Sequence, residues 1–184
     1  MRIEVHVHGN ISLRTGTTLS HVESALRPWL EYLDEDSLAD AKSVHQEEPG
    51  IAFDPRRRAL EICWTGDVGR NFRRCIEESL QALSSFADQT SVVELSYYHD
   101  DGQNEFGVVF VGPTPEAIHD AQRRRMLEDV SLLLSRHFGA EEIGEVVEVV
   151  NRLFGRNWEE RTSSGSANIT SEVVLTPGTR KHLH

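Results

Sequence analysis

Two short runs in this chain switch between apolar and polar residues with a period of two. In Ile3-Glu4-Val5-His6-Val7-His8 the isoleucine and valines fall on one side, and Glu4, His6 and His8 fall on the other. In Leu60-Glu61-Ile62-Cys63-Trp64-Thr65 the apolar side is Leu60, Ile62 and Trp64, and Glu61, Cys63 and Thr65 lie opposite. Successive side chains of an extended strand point to opposite faces, so both runs predict strands that are packed on one face and wet on the other. A sheet built from them needs a cover of helices on one face.

The cover is legible as helices. Ser20-His21-Val22-Glu23 fits a capping box, and Val22, Leu26, Trp29, Leu30 and Leu33 follow at helical spacing, with Pro28 predicting a kink or a restart. Phe72, Ile76, Leu80, Leu83 and Phe86 form a second stripe, with Asp67 placed to cap it. Gly9-Asn10 reads as a tight turn into Ile11-Ser12-Leu13, making the opening a hairpin. The acidic stretch Asp34 to Gly50 reads as exposed connection, with a short helix near Asp36 to His45.

Ser91–His99 and Glu105–Val111 are strand-like runs around an Asp101-Gly102 turn. Pro115 opens a helix carried to about Phe138, Gly139 ends it, and a further helix runs from about Ala140 to Phe154, making a helical hairpin. The order β-α-β-α-β-β-α-α predicts an α+β fold, with a mixed sheet of four to five strands, helices packed on one face and the hairpin at its C-terminal end. Residues 1–160 read as a single domain. Residues 161–184 read as a flexible or partner-docking tail, with Glu172–Leu175 a short strand able to add to a sheet edge.

Charge narrows the function classes. Lys+Arg number 19 against Asp+Glu 30, a net charge of -11 spread over both halves, so no basic face for a phosphate backbone is expected and nucleic acid is excluded as a partner. No run approaches the roughly 18 apolar residues of a membrane helix, and the N-terminus lacks the order of a secretory signal, so the expected location is cytoplasmic, with no membrane contact. Cys63 and Cys75 are then expected as thiols.

His6-x-His8 carries the most suggestive chemistry, because two imidazoles two residues apart on a strand reach the same way and can share a metal such as zinc. The stretch Ile3 to Ser12 resembles the first strand of the PHP-type metal-dependent phosphoesterases, whose opening H-x-H supplies two metal ligands. The resemblance covers ten residues, and Arg58–Asp67, where that family has its next histidine motif, contains no histidine. Candidates for a third ligand are His99, Asp100 and His119. Each has a plainer role as a turn or helix-start residue, and His6 and His8 themselves fit the solvent face of an outer strand. Arg70, Arg73 and Arg74, after Thr65-Gly66-Asp67-Val68-Gly69, form a candidate anion site, which a capped helix start explains equally. The stripe Ile143, Val146, Val147, Val150 and Phe154 is core or a subunit interface.

Two functional readings stay open. On the first, this is a small acidic protein without catalysis or cofactor that works through protein–protein contact, self-associating as a homo-oligomer or docking a basic partner. On the second, it is a metal-dependent, phosphoesterase-like hydrolase built on His6 and His8.

Overall fold

The computed structural model describes residues 3–163 and 176–177. In chain order its elements are strand β1 (Ile3–Ser12), helices α1 (Leu19–Ala25) and α2 (Arg27–Leu33), strands β2 (Gly50–Asp54) and β3 (Ala59–Val68), and helix α3 (Phe72–Leu83). Strands β4 (Ser91–Tyr98) and β5 (Glu105–Val111), helices α4 (Pro115–Leu134) and α5 (Ala140–Ser163) and the two-residue strand β6 (Thr176–Pro177) follow. The fold is α+β with a C-terminal helical pair, as the element pattern predicts. The described residues form two compact units divided between Pro113 and Thr114, one holding the sheet with α1 to α3, the other the α4–α5 hairpin. Glu172–Leu175 lies outside the described residues.

The strands form one sheet in the order β2-β3-β1-β4-β5-β6, and every pairing is antiparallel, where the element order predicts a mixed sheet. β1 is central, paired with β3 on one edge and β4 on the other. The opening hairpin is not formed, because β1 runs through Gly9-Asn10 unbroken. Gly9 serves close approach instead of turning: a Cβ there would stand 3.0 Å from Val93 Cγ2 and 3.1 Å from Val92 O of the neighbouring strand.

The apolar face lies under α1, α2 and α3. Val5, Val7, Ile11, Leu60, Ile62, Trp64, Val93 and Leu95 from the strands join Val22, Leu26, Trp29, Phe72, Ile76 and Leu80 from the helices in one core. At its centre the Trp29 ring meets Trp64 edge-on at 5.5 Å, and Trp64 stacks on Phe72 at 5.8 Å. Pro28 does restart the helix: α1 ends, α2 begins with proline in its first turn, and buried Ser79 accepts a hydrogen bond from Trp29 N at 3.0 Å. The α1 cap is Thr18 and not Ser20, with His21 completing the capping box, so Glu23 is released to accept from Leu38 N. Asp67 belongs to β3, and α3 starts later, after Asn71.

The stretch read as exposed connection departs most. It folds as turns without the short helix, buries Leu38 and Ala41, and leads into β2, a strand too short and too mixed in pattern to show period-two alternation. Its link to β3 is tight: Trp64 Nε1 donates to Lys42 O at 3.0 Å, and Val44 N donates to Thr65 O at 2.9 Å. Trp64 is thereby held flat over Gly66, where an added methyl group would collide with the indole. Gly66→Ala should therefore destabilise the protein by about 1–3 kcal/mol, the usual range for overpacking a filled core. Urea denaturation checks this, and an unchanged midpoint would show that the indole can move aside.

Candidate functional site

The alternation that packs Val5 and Val7 turns His6 and His8 to the other face of the sheet, on its central strand and not on an outer one. Antiparallel register then decides their neighbours. His8 stands opposite Cys63, and His6 stands opposite Thr65. The imidazoles lie nearly parallel, 6.1 Å between centroids and 11° between planes. One ligand atom from each of His6, His8 and Cys63 lies within 4.8 Å of the others. Ligand atoms around a tetrahedral zinc ion stand about 3.3–3.7 Å apart, given Zn–N near ~2.0 Å and Zn–S near ~2.3 Å. Closing the cluster onto an ion is thus a contraction of about 1 Å, within reach of small χ rotations.

A second layer of polar groups backs His6. Its Nδ1 lies 2.8 Å from Thr65 Oγ1, and Thr65 Oγ1 donates to Glu48 Oε1 at 3.0 Å. Glu48 Oε1 is also 3.5 Å from His6 Nδ1, and its other oxygen accepts from Ser43 Oγ. Burial opposes ionisation of Glu48, but the hydrogen bonds from Ser43 and Thr65, with His6 and His45 nearby, outweigh it and hold the carboxyl below its ordinary range. For Cys63, burial together with the charges of Glu48 and Glu61 pushes the thiol up, which favours the protonated form over a free thiolate nucleophile. Thr65 is 3% exposed, His6 and Cys63 are half-buried, and His8 is exposed.

Residues 3–155 match the DUF6806 family, a family of unknown function. The chain belongs to that family. No curated protein and no solved structure matches it. The stretch shared with DUF6806 spans β1 through most of α5, so His6, Glu48, Cys63 and Thr65 all lie within it.

The other residues singled out from the sequence sit elsewhere in this DUF6806 member. Tyr97 and Glu105 face one another across β4 and β5 on the helix side of the sheet, and His99 Nε2 is 3.8 Å from Glu105 Oε1. The sheet therefore stands between His99 and the His6–His8 face. Asp100 is in the turn that follows, as its residue type favours. His119 belongs to the helical hairpin, its ring 4.2 Å from Trp158 and 4.6 Å from Phe154. The three arginines are not gathered around a common point. Arg73 pairs with Glu105 at 2.8 Å and lies 4.9 Å over the Tyr97 ring, Arg74 pairs with Glu78, and Arg70 precedes α3. Of the hairpin stripe, Ile143, Val147, Val150 and Phe154 are half-buried and Val146 is exposed.

Cys63 and Glu48 went unassigned as site residues by sequence reasoning. For Cys63 a signal existed, because a residue type that prefers interiors occupies the polar phase of an alternating strand. For Glu48 there was none, since its approach to His6 depends on how the turns after α2 fold back onto Thr65.

On the opposite side of the sheet, burial raises the Glu77 carboxyl, and Arg73 only partly offsets this. A carboxyl whose folded value lies above its unfolded one binds more protons when folded, so its ionisation lowers stability as pH rises through that window. Glu77→Gln should accordingly melt at or above the wild-type temperature at neutral pH, with the gain shrinking toward acid. Thermal melts at pH 7 and at a pH below the carboxylate range decide it, and a destabilised neutral variant would count against the sign.

Proposed function

We propose that this chain binds one thiophilic transition-metal ion of the zinc type through His6, His8 and Cys63. The observation that carries the reading is the convergence of two imidazoles and one thiol from neighbouring central strands within 4.8 Å. An N₂S donor set suits zinc, cobalt, nickel or copper and is wrong for magnesium or calcium, which take oxygen ligands. Three protein ligands leave a tetrahedral ion one open position. A water bound there would be acidified, which is the chemistry a hydrolytic role needs.

The test is metal content and cobalt substitution. Wild-type protein reconstituted with zinc should retain about one ion per chain after gel filtration, as expected for a three-ligand site. With cobalt it should show a thiolate-to-metal charge-transfer band that disappears in Cys63→Ser, and His8→Ala should abolish retention. Wild-type protein that holds neither ion would sink the reading.

A second reading, protein–protein contact through self-association, is supported by the α4–α5 hairpin. Ile143, Val147, Val150 and Phe154 are half-buried within it, yet Val146, Val149 and Leu153 on α5, with Met126 and Leu133 on α4, stay exposed. The exposed α5 residues recur at spacings of three and four, one continuous stripe, and two antiparallel helices alone do not complete a core. A second copy supplies the same stripe across a two-fold axis, giving a four-helix contact. Light scattering should then report a dimer that Val149→Lys with Leu153→Lys converts to monomer. A monomeric wild type refutes self-association, and capture of a basic partner by that monomer would transfer the face to a different occupant.

A further inference from the structure

The strongest feature not used by the ligand set is the chain of groups behind it. Thr65 has one hydroxyl proton and two neighbours that lie within hydrogen-bond distance, Glu48 Oε1 at 3.0 Å and His6 Nδ1 at 2.8 Å. An ionised carboxylate only accepts, so the Thr65 proton goes to Glu48. The hydroxyl oxygen must then accept from His6, which places the imidazole proton on Nδ1. We infer that Glu48 and Thr65 act as positioning residues that lock His6 in its Nδ1-protonated tautomer and leave Nε2 as the nitrogen carrying the lone pair. The use of that lone pair for an ion rests on the metal reading above.

The surrounding geometry supports a lock over a chance contact. Thr65 is 3% exposed, and its three polar atoms are all engaged: N donates to Ser43 Oγ at 3.0 Å, O accepts from Val44 N at 2.9 Å, and Oγ1 bridges Glu48 and His6. Ser43 binds the second Glu48 oxygen, so the carboxylate is pinned from both ends. The turn from Lys42 to Glu48 thus reaches round the strand and brings a carboxylate to within 3.5 Å of His6 Nδ1. Outer-shell partners of this kind fix ring orientation and raise imidazole basicity, and losing them costs about 10–100-fold in metal affinity.

The experiment reads tautomer and affinity separately. Long-range ¹⁵N–¹H spectra of metal-free protein at about pH 8, above the unperturbed histidine value of about 6.5, report which His6 nitrogen carries the proton. The wild type should show Nδ1–H, Thr65→Val should lose that preference, and Thr65→Ser, which keeps the hydroxyl, should restore it. Zinc titrations against a chromophoric chelator should show Thr65→Val and Glu48→Gln weakened about 10–100-fold, with Thr65→Ser close to wild type. A wild-type proton on Nε2, or a Thr65→Val protein with the wild-type tautomer and affinity, overturns the inference. Wild-type protein that shows the locked tautomer but takes up no zinc overturns the metal reading alone, since the spectra by themselves uphold the lock.

Discussion

Hydrogen bonding along both edges of β1 is the constraint on which the sheet unit depends. Because β3 and β4 flank it in register, the strand cannot rotate or slip by one residue without exchanging its two faces. Val5, Val7 and Ile11 are fully buried, so that exchange would expose the centre of the core and bury two imidazoles. The core packing and the presentation of His6 and His8 are therefore one structural fact seen from two sides. Cys63 is recruited by the same register, one strand over.

The two faces are stabilised differently. On the helix side, Trp29, Trp64 and Phe72 interlock with aliphatic side chains, and buried Ser79 accepts from the first turn of α2. On the other side, order comes from hydrogen bonds that the turn Lys42 to Glu48 brings to Thr65. Such a network rigidifies only when each member is satisfied, and here serine, threonine and glutamate satisfy one another before the histidine is reached.

How much of this could be seen in the sequence varied with the range of the interaction. The alternation of β1 and β3, the α3 stripe, the β4–β5 turn and the helical hairpin are local patterns, and all of them appear in the structure. Gly9-Asn10 misled because a glycine wanted for close packing against Val93 looks identical to one wanted for a turn. Thr18 displaced Ser20 as cap because His21 also completes a box. His6 and His8 were legible as a pair, since two residues on one strand need no knowledge of strand order. Cys63 needed the pairing of β1 with β3, and Glu48 needed a turn conformation, and neither is written in periodicity.

The turn that carries Glu48 has a further consequence for how the molecule coexists with its own copies. β2 pairs with β3 only as far as Cys63, so beyond it the outer side of β3 offers the amide and carbonyl of Thr65. Ser43 and Val44 occupy both. A sheet edge left open next to a β-rich core is a template for strand addition and aggregation, and folded proteins cover such edges. A proteolytic nick or an insertion between Lys42 and Glu48 would thus uncover a sticky margin, and recombinant material damaged there should accumulate as intermolecular β-structure while its helices stay intact.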